Sequence, residues 1–534
     1  MKRVGTTLGL SLAIAMGVVA CASMSGGGRD HVARAVQAQG GTDAMAKVKT
    51  ISQKGTERQW APEQSAVAGG EMRFANQATM ESVTDVTMRA TRTDWVRDFQ
   101  YPAPNKFTFS EVVTAQAGYV AGIDSGGRTR QSRESNPPAH TMSGLRLAAS
   151  QRELVRTSPL LAFEMQQNPD RVSPAPDVTV GGVTYKAAAY RVGAQTLTVM
   201  FDPATGLPAR VRSLDYDNVW GDVTYDLVLS DWQVVDGVRV ATSRKYKLND
   251  RMIVETKITE TKLNAPIAAD RLQIPAAYLT GAPKPATERV PYQWVLRRQF
   301  IGAYLDSDAP SYDTRASPGL RMVQLGPGVQ HVVGGSHNSL IVEMKDYLVV
   351  FDAPVSDWQS NWTLSAAHAK YLKKPVKYLV LTHHHMDHTG GLRAYAADGV
   401  TIVTGKGTAE HWKRVLAAPF TRNPDVASQD LGRTPIVEVA DKWTITDGQR
   451  QVEAYVIAPN PHADGMMIGY VVDQKLGFVT DIWSPGAGPL PDKLNPALAS
   501  LVAGVKKAGI APAKFAGGHG GAGDYAPLAA LEGK

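Results

Sequence analysis

The chain has 534 residues and a formal net charge of +7, with 43% hydrophobic and 20% charged residues. These are the proportions of a globular protein, and they exclude global disorder and collagen-like structure. A single cysteine excludes an intramolecular disulfide framework and any cysteine-rich zinc module. The length allows roughly two to four domains. The basic residues form no long run, so the positive balance describes a solvated surface and no nucleic-acid partner is expected.

Lys2 and Arg3 precede an uncharged stretch from Val4 to Ala20 that contains Leu8, Leu10, Leu12, Ile14 and Met16. This is the pattern of a secretory signal peptide over residues 1–20. Cys21 directly follows Val18-Val19-Ala20 and resembles the lipidated cysteine of a bacterial lipobox. The resemblance implies membrane attachment through Cys21, with Ala22 resembling outer-membrane-directed lipoproteins. The expected location is the periplasm, lipid-anchored to the outer membrane. Ala20-Cys21-Ala22 also fits simple cleavage and secretion, and an uncleaved anchor would sit at the short limit for a span. Residues 21–29 are expected to be a flexible tether.

Residues 30–280 carry strand signals after two short helices, the second starting at Thr42 as its N-cap with Met45 and Val48 on one face. Runs such as Thr196–Phe201, Ala209–Leu214, Asp222–Leu229 and Val238–Tyr246 alternate with turn clusters, among them Asp202–Gly206 and Asp236-Gly237. Trp232–Val235 reads as a return run. The pattern predicts an antiparallel meander, with residues 125–140 as a loop. The short helix, Gly40-Gly41 and the Lys54-Gly55 strand opening resemble the periplasmic lipoprotein-carrier folds. That resemblance implies a curved antiparallel sheet that cradles an apolar ligand; a scaffold role is the alternative. Pro283, Pro285, Pro291, Pro310 and Pro318 mark residues 281–318 as a linker.

Residues 319–534 alternate strand and helix patterns. Leu340–Glu343, Tyr347–Phe351 and Val376–Leu381 read as strands, and Ala366–Leu372 and Thr408–Leu416 as helices. Of the 12 histidines, only His31 and His140 precede residue 330, and four fall within 383–388. Thr382-His383-His384-His385-Met386-Asp387-His388-Thr389-Gly390-Gly391 follows the Val376–Leu381 strand directly. Imidazole nitrogen and carboxylate oxygen suit borderline divalent metals. On a tight loop, His383 and His385 would point one way and Asp387 with His388 the other.

His383-x-His385-x-Asp387-His388 resembles the signature of the metallo-β-lactamase-fold hydrolases over roughly residues 320–534. His462, Asp481 and His519 occur in that family's order. The resemblance implies an α+β chain of two domains, the second an αββα sandwich. It further implies two divalent ions, zinc first with iron or manganese as alternatives. His383, His385 and His462 would bind the first, Asp387, His388 and His519 the second, and Asp481 would bridge them. The implied activity is attack by a metal-bound hydroxide on a small ester, thioester, lactone or related substrate, with Asp387 and Asp481 as catalytic residues. Alternatives are β-lactamase-type amide hydrolysis, a mononuclear iron sulfur dioxygenase, or an apolar-ligand carrier with an accessory metal domain. Asp352 resembles a family aspartate that supports the metal loop. His384 is expected to orient or face solvent, and His337 with Asn338 to line the pocket mouth. His411, Trp412 and Lys413 are read as helix surface and core, and His331 and His368 as structural.

Overall fold

The computed structural model describes residues 27–102, 104–124, 138–193, 195–268, 270–287, 319–335, 337–425 and 431–533. The expected signal segment, Cys21 and most of the expected proline-rich linker lie outside the described residues. Residues 27–29 of the expected tether are helical instead, because helix α1 spans Gly27–Gln39. It buries Gly28, Val32, Ala35 and Val36 at helical spacing. A Cβ at Gly28 would stand 3.1 Å from the Ser173 carbonyl, so glycine permits this close contact. Helix α2 (Thr42–Ala46) is capped by Gly41 rather than Thr42, whose hydroxyl instead donates to Gln166 Oε1 at 3.1 Å.

Fourteen strands build one antiparallel sheet. They are β1 (Thr50–Ala61), β2 (Arg73–Asp85), β3 (Ala90–Phe99), β4 (Asn105–Val113), β5 (Gly118–Ile123), β6 (Ala139–Thr141), β7 (Val172–Pro174), β8 (Val178–Val180), β9 (Val183–Val192), β10 (Gln195–Phe201), β11 (Pro208–Asp217), β12 (Gly221–Val235), β13 (Val238–Leu248) and β14 (Arg251–Leu263). The order is β6-β5-β4-β3-β2-β1-β14-β13-β12-β11-β10-β9-β7, with β8 paired to β9. Two expectations need correction. Part of the 125–140 loop is strand, since β6 pairs with β5. Trp232–Val235 does not turn back, but continues β12 beyond Asp231, which has φ of 56°. Helices α3 (Gly144–Thr157) and α4 (Leu161–Gln167) lie on this sheet. Alternate positions of β1, β3 and β13 place Gln53, Glu57, Gln59, Arg97 and Arg244 on the covered face, all buried.

The second half is a four-layered sandwich. One sheet runs β15 (Arg321–Gly326), β16 (Val329–Val333), β17 (Ser339–Glu343), β18 (Leu348–Phe351), β19 (Val376–Val380), β20 (Thr401–Gly405) and β21 (Ile436–Val439) in sequence order. The pairs from β18 to β21 are parallel. The other runs β22 (Lys442–Thr446), β23 (Gln451–Val456), β24 (Met467–Val471), β25 (Leu476–Val479), β26 (Lys514–Gly517) and β27 (Ala522–Asp524). Val342, Phe351, Val380, Met467, Phe478 and Ala516 fill the space between the sheets. Helices α5 (Asp357–Lys370), α6 (Met386–Thr389), α7 (Leu392–Ala397), α8 (Ala409–Ala417) and α9 (Pro496–Ala508) follow in chain order. Residues of α5, α7 and α8 pack on the outside of the first sheet and those of α9 on the second. Helix α5 starts nine residues before the expected Ala366 because Ser356 caps it, its side chain accepting from Gln359 N.

The halves interlock. The turn between β11 and β12 inserts Val219 among Ile341, Leu364 and Trp412 of the second half. Beside it, Asn218 Nδ2 donates to the Val355 carbonyl at 2.8 Å, and Asp222 N donates to the Pro419 carbonyl at 2.7 Å.

Gly469 marks where the sandwich closes, because a Cβ there would collide with the Phe351 ring of the facing sheet. Gly469→Val should therefore cost about 1–3 kcal/mol by overpacking. The check is a thermal melt, and an unchanged Tm would refute this picture of the interface.

Candidate metal centre

The clustered residues sit at strand ends, where backbone need not continue a ladder and side chains can converge; most are on loops, but Asp387 and His388, expected on a tight loop, lie in the short helix α6. His383 to His388 follow β19, His462 lies between β23 and β24, Asp481 follows β25, and His519 follows β26. His383, His385 and His462 each bring one ligand atom to within 4.8 Å of the others. The same holds for His383, His388 and Asp481, and for His337, Asp387, His388 and His519. Asp481 connects the groups. Its Oδ2 lies 2.8 Å from His388 Nε2, 3.3 Å from His383 Nε2 and 3.7 Å from His462 Nε2, while Oδ1 lies 3.0 Å from His519 Nε2. Asp481 has φ of 54° and Asp352 has φ of 60°, a region non-glycine residues seldom use and functional sites favour.

Hydrogen bonds fix the tautomers. His388 Nδ1 donates to Asp352 Oδ2 at 3.1 Å, which turns Nε2 to the centre. Asp352 also accepts from Thr382 N at 2.7 Å and Thr382 Oγ1 at 2.9 Å. His385 Nε2 donates to the Ser65 carbonyl at 2.9 Å. Its Nδ1 must then carry a lone pair, and among the described residues this buried atom has no partner.

Burial holds His383 and His385 well below the ordinary histidine pKa, with neighbouring imidazoles adding to the effect. His462 is lowered for the same first reason. All three are neutral at pH 7, as ligation requires. Burial opposes ionisation of Asp387 and Asp481, but the surrounding histidines outweigh it and hold both well below the usual carboxylate range. Burial likewise opposes a charged His388, yet Asp481 and Asp352 outweigh it and raise its pKa.

This donor set fits divalent ions. A tetrahedral zinc with Zn–N of about 2.0–2.1 Å needs donors about 3.3 Å apart. His383 Nε2 and His462 Nε2 are 3.2 Å apart, and His388 Nε2 and His519 Nε2 are 3.3 Å apart. Without a cation, the inward Nδ1 of His385 would bear the cost of an unmet buried polar atom.

Several neighbours differ from expectation. His337 lies inside the cluster rather than at its mouth, its Nε2 3.2 Å from Asp387 Oδ2. Burial pushes its pKa down to about 4. His384 does not face solvent; it is buried and its Nε2 donates to the Ser65 carbonyl at 2.8 Å. His331 is buried and bonds the Gly517 carbonyl at 2.9 Å, whereas His368 lies 3.5 Å from Asp398 on a more exposed surface. Asn338 Nδ2 donates to the Gly517 and Gly520 carbonyls, both at 2.9 Å, and so braces the loop of His519.

Four residues of the first half reach the centre, and no spacing pattern in the sequence marks them. Gln64 Nε2 donates to Asp387 Oδ1 at 2.9 Å, and the Tyr101 hydroxyl donates to Gln64 Oε1 at 2.5 Å. Arg73 Nη2 donates to the His462 carbonyl at 2.5 Å, with its guanidinium 4.8 Å from the Tyr101 ring centre. Ser65 supplies the carbonyl shared by His384 and His385.

Residues 332–520 match the family model described as the metallo-beta-lactamase superfamily. No curated protein matches the chain. Among solved structures, a metallo-beta-lactamase from Pontibacter korlensis is 23% identical with a TM-score of 0.31, over 40% of this chain and 100% of that one. The sec-alkylsulfatase Pisa1 from Pseudomonas sp. is 19% identical with a TM-score of 0.29, over 38% of this chain and 39% of that one. The flavodiiron protein from Giardia intestinalis is 17% identical with a TM-score of 0.29, over 40% of this chain and 57% of that one.

His411 is buried against Trp220 and Trp412, and among the described residues neither ring nitrogen has a hydrogen-bond partner. Burial, then His384 and Arg414, push its pKa down to about 3. His411→Phe should therefore stabilise the fold by about 1 kcal/mol at pH 7. Below about pH 6.5 the unfolded wild type takes up a proton that the folded state refuses, so the variant's advantage should grow toward pH 4. A variant less stable than wild type in melts at pH 5 would refute this.

Proposed function

The domain at residues 332–520 belongs to the metallo-β-lactamase superfamily, and from that premise we propose a metal-dependent hydrolase of small esters, thioesters or lactones. The observation that carries this is the inward, unpartnered Nδ1 of His385 beside the convergent Nε2 atoms of His383 and His462. His383, His385 and His462 would hold one divalent ion, Asp387, His388 and His519 a second, and Asp481 both. Bound there, the ions would lower the pKa of water and polarise an acyl oxygen. Zinc suits the nitrogen-rich donors best, and iron or manganese also accepts them.

The chain's own residues do the positioning. Asp387 stays ionised, takes Gln64 on Oδ1 and turns Oδ2 to the centre, where it can accept a proton from the attacking water. Asp352 and Thr382 hold the His388 ring in one orientation. Gln64, Arg73 and Tyr101 wall the site from the side of the first half, so substrate size is set by both halves. A mononuclear iron dioxygenase would leave the four donors around His388 without an ion to serve. We place the enzyme in the periplasm, supported by Lys2-Arg3, the uncharged Val4–Ala20 stretch and Cys21.

Protein purified without added metal should contain about two zinc ions and turn over at least one member of an ester, thioester, lactone and β-lactam panel. His385→Ala and Asp481→Ala should each lose bound metal and reduce turnover by at least about a thousandfold. Full activity in either variant would sink the assignment. Gln64→Ala, in contrast, should keep its metal and lose about tenfold in kcat, the low end for an outer partner of a ligand. Metal loss in that variant would show that Gln64 holds the ion's environment rather than Asp387 alone.

A further inference from the structure

The implied ligand set leaves out one histidine that the fold brings into the centre. His337 lies before β17, whereas the seven implied ligands all follow β19 in the chain. Its Nε2 stands 3.2 Å from Asp387 Oδ2. One nitrogen of His337, one oxygen of Asp387 and one nitrogen each of His388 and His519 lie within 4.8 Å of one another.

A polar group beside a ligating carboxylate can take one of two places. An outer partner binds the oxygen turned away from the ion and holds the carboxylate from behind. Gln64 has that place, donating to Asp387 Oδ1 at 2.9 Å. His337 meets the other oxygen, Oδ2, on the side where His388 Nε2 lies 3.9 Å away. Its ring also stands against both imidazoles of the second group, with centroids 4.4 Å from His519 and 5.1 Å from His388. A group that only supported Asp387 from behind would not face all three of these side chains. The spacing suits ligation as well. His337 to Asp387 is 3.2 Å and His388 to His519 is 3.3 Å, close to the roughly 3.3 Å between donors on a tetrahedral zinc.

The backbone fixes His337 in this place. Gln359 Nε2 donates to the His337 carbonyl at 2.8 Å. The next residue, Asn338, donates from its backbone N to the Gly518 carbonyl at 2.8 Å and from Nδ2 to the carbonyls of Gly517 and Gly520. These bonds tie the His337 segment to both sides of His519, so the two imidazoles are brought together by the fold itself.

We propose that His337 is a further protein ligand of the second ion, beside Asp387, His388 and His519. This rests on the two-ion reading given above. Each position then has three imidazoles: His383, His385 and His462 at the first, and His337, His388 and His519 at the second. Matched nitrogen sets favour the same nitrogen-preferring ion in both positions, zinc rather than manganese.

The test challenges the zinc-loaded full chain with rising concentrations of a chelator and counts the zinc retained per chain, for wild type, His337→Ala and His337→Gln. A glutamine amide can still donate to Asp387 but offers no ligating nitrogen lone pair, so it replaces an outer partner and not a ligand. Wild type should hold two zinc ions. Both variants should keep one as firmly as wild type and release the other at a chelator concentration at least about tenfold lower. Recovery of the second ion by His337→Gln, or its retention by His337→Ala, would overturn the proposal and leave the two-ion centre standing. Fewer than two ions on the wild type would overturn the two-ion reading and this proposal with it. Should the variants fail to fold, crystals of the zinc-loaded wild type decide. His337 Nε2 at about 2.0–2.1 Å from the second zinc supports the ligand, and a separation beyond bonding reach overturns it.

Discussion

One carbonyl organises the centre. Ser65 O receives Nε2–H from both His384 and His385. A neutral imidazole has one donor and one acceptor nitrogen, so committing Nε2 to this bond forces the lone pair of His385 onto Nδ1. The first half of the chain thereby chooses the face that His385 shows to its neighbours. Gln64 does the same for Asp387, leaving one carboxylate oxygen turned inward. The loop between β1 and β2 is thus part of the centre, although it contributes no candidate ligand.

Around that carbonyl the structure tolerates much buried polarity. His385, His388 and Asp352 are wholly buried, and each is linked to a fixed partner on its outer side. Such outer partners keep ligands oriented. Burial raises the pKa of Asp352 while His388 and Thr382 pull it back. The positive φ values of Asp352 and Asp481 belong to the same arrangement, since both residues end buried strands and must turn their carboxylates sharply toward the histidines.

The sequence made the second half far more legible than the first. His383-x-His385-x-Asp387-His388 sits after an apolar strand, and its chemistry is local enough to read from six residues. His462, Asp481 and His519 are recognisable because each lies beside a glycine turn or at the end of an apolar run. His337 was harder, because its approach to Asp387 depends on the loop before β17 and not on any repeat. Gln64, Ser65, Arg73 and Tyr101 were illegible for a stronger reason. Gln64, Ser65 and Arg73 meet partners more than 300 residues away, Tyr101 reaches the centre only through Gln64 and Arg73, and no short-range pattern encodes contacts of that span. The strands of the first half could be read from alternation, but alternation marks which positions are buried and not whether a buried position is charged. Arg97 and Arg244 therefore look like solvent-facing residues until α3 is in place.

The turn that carries Val219 into the second half has a consequence for how the protein can be assembled and divided. Val219 completes a core whose other members lie between Val332 and Leu431. The sandwich alone would expose a vacant apolar slot, and the sheet alone would expose a hydrophobic peg. A cut in the connecting segment would therefore expose apolar surface on both fragments. Exchange of the catalytic half between related chains would succeed only if the peg, its slot and the Ser65 loop travelled together.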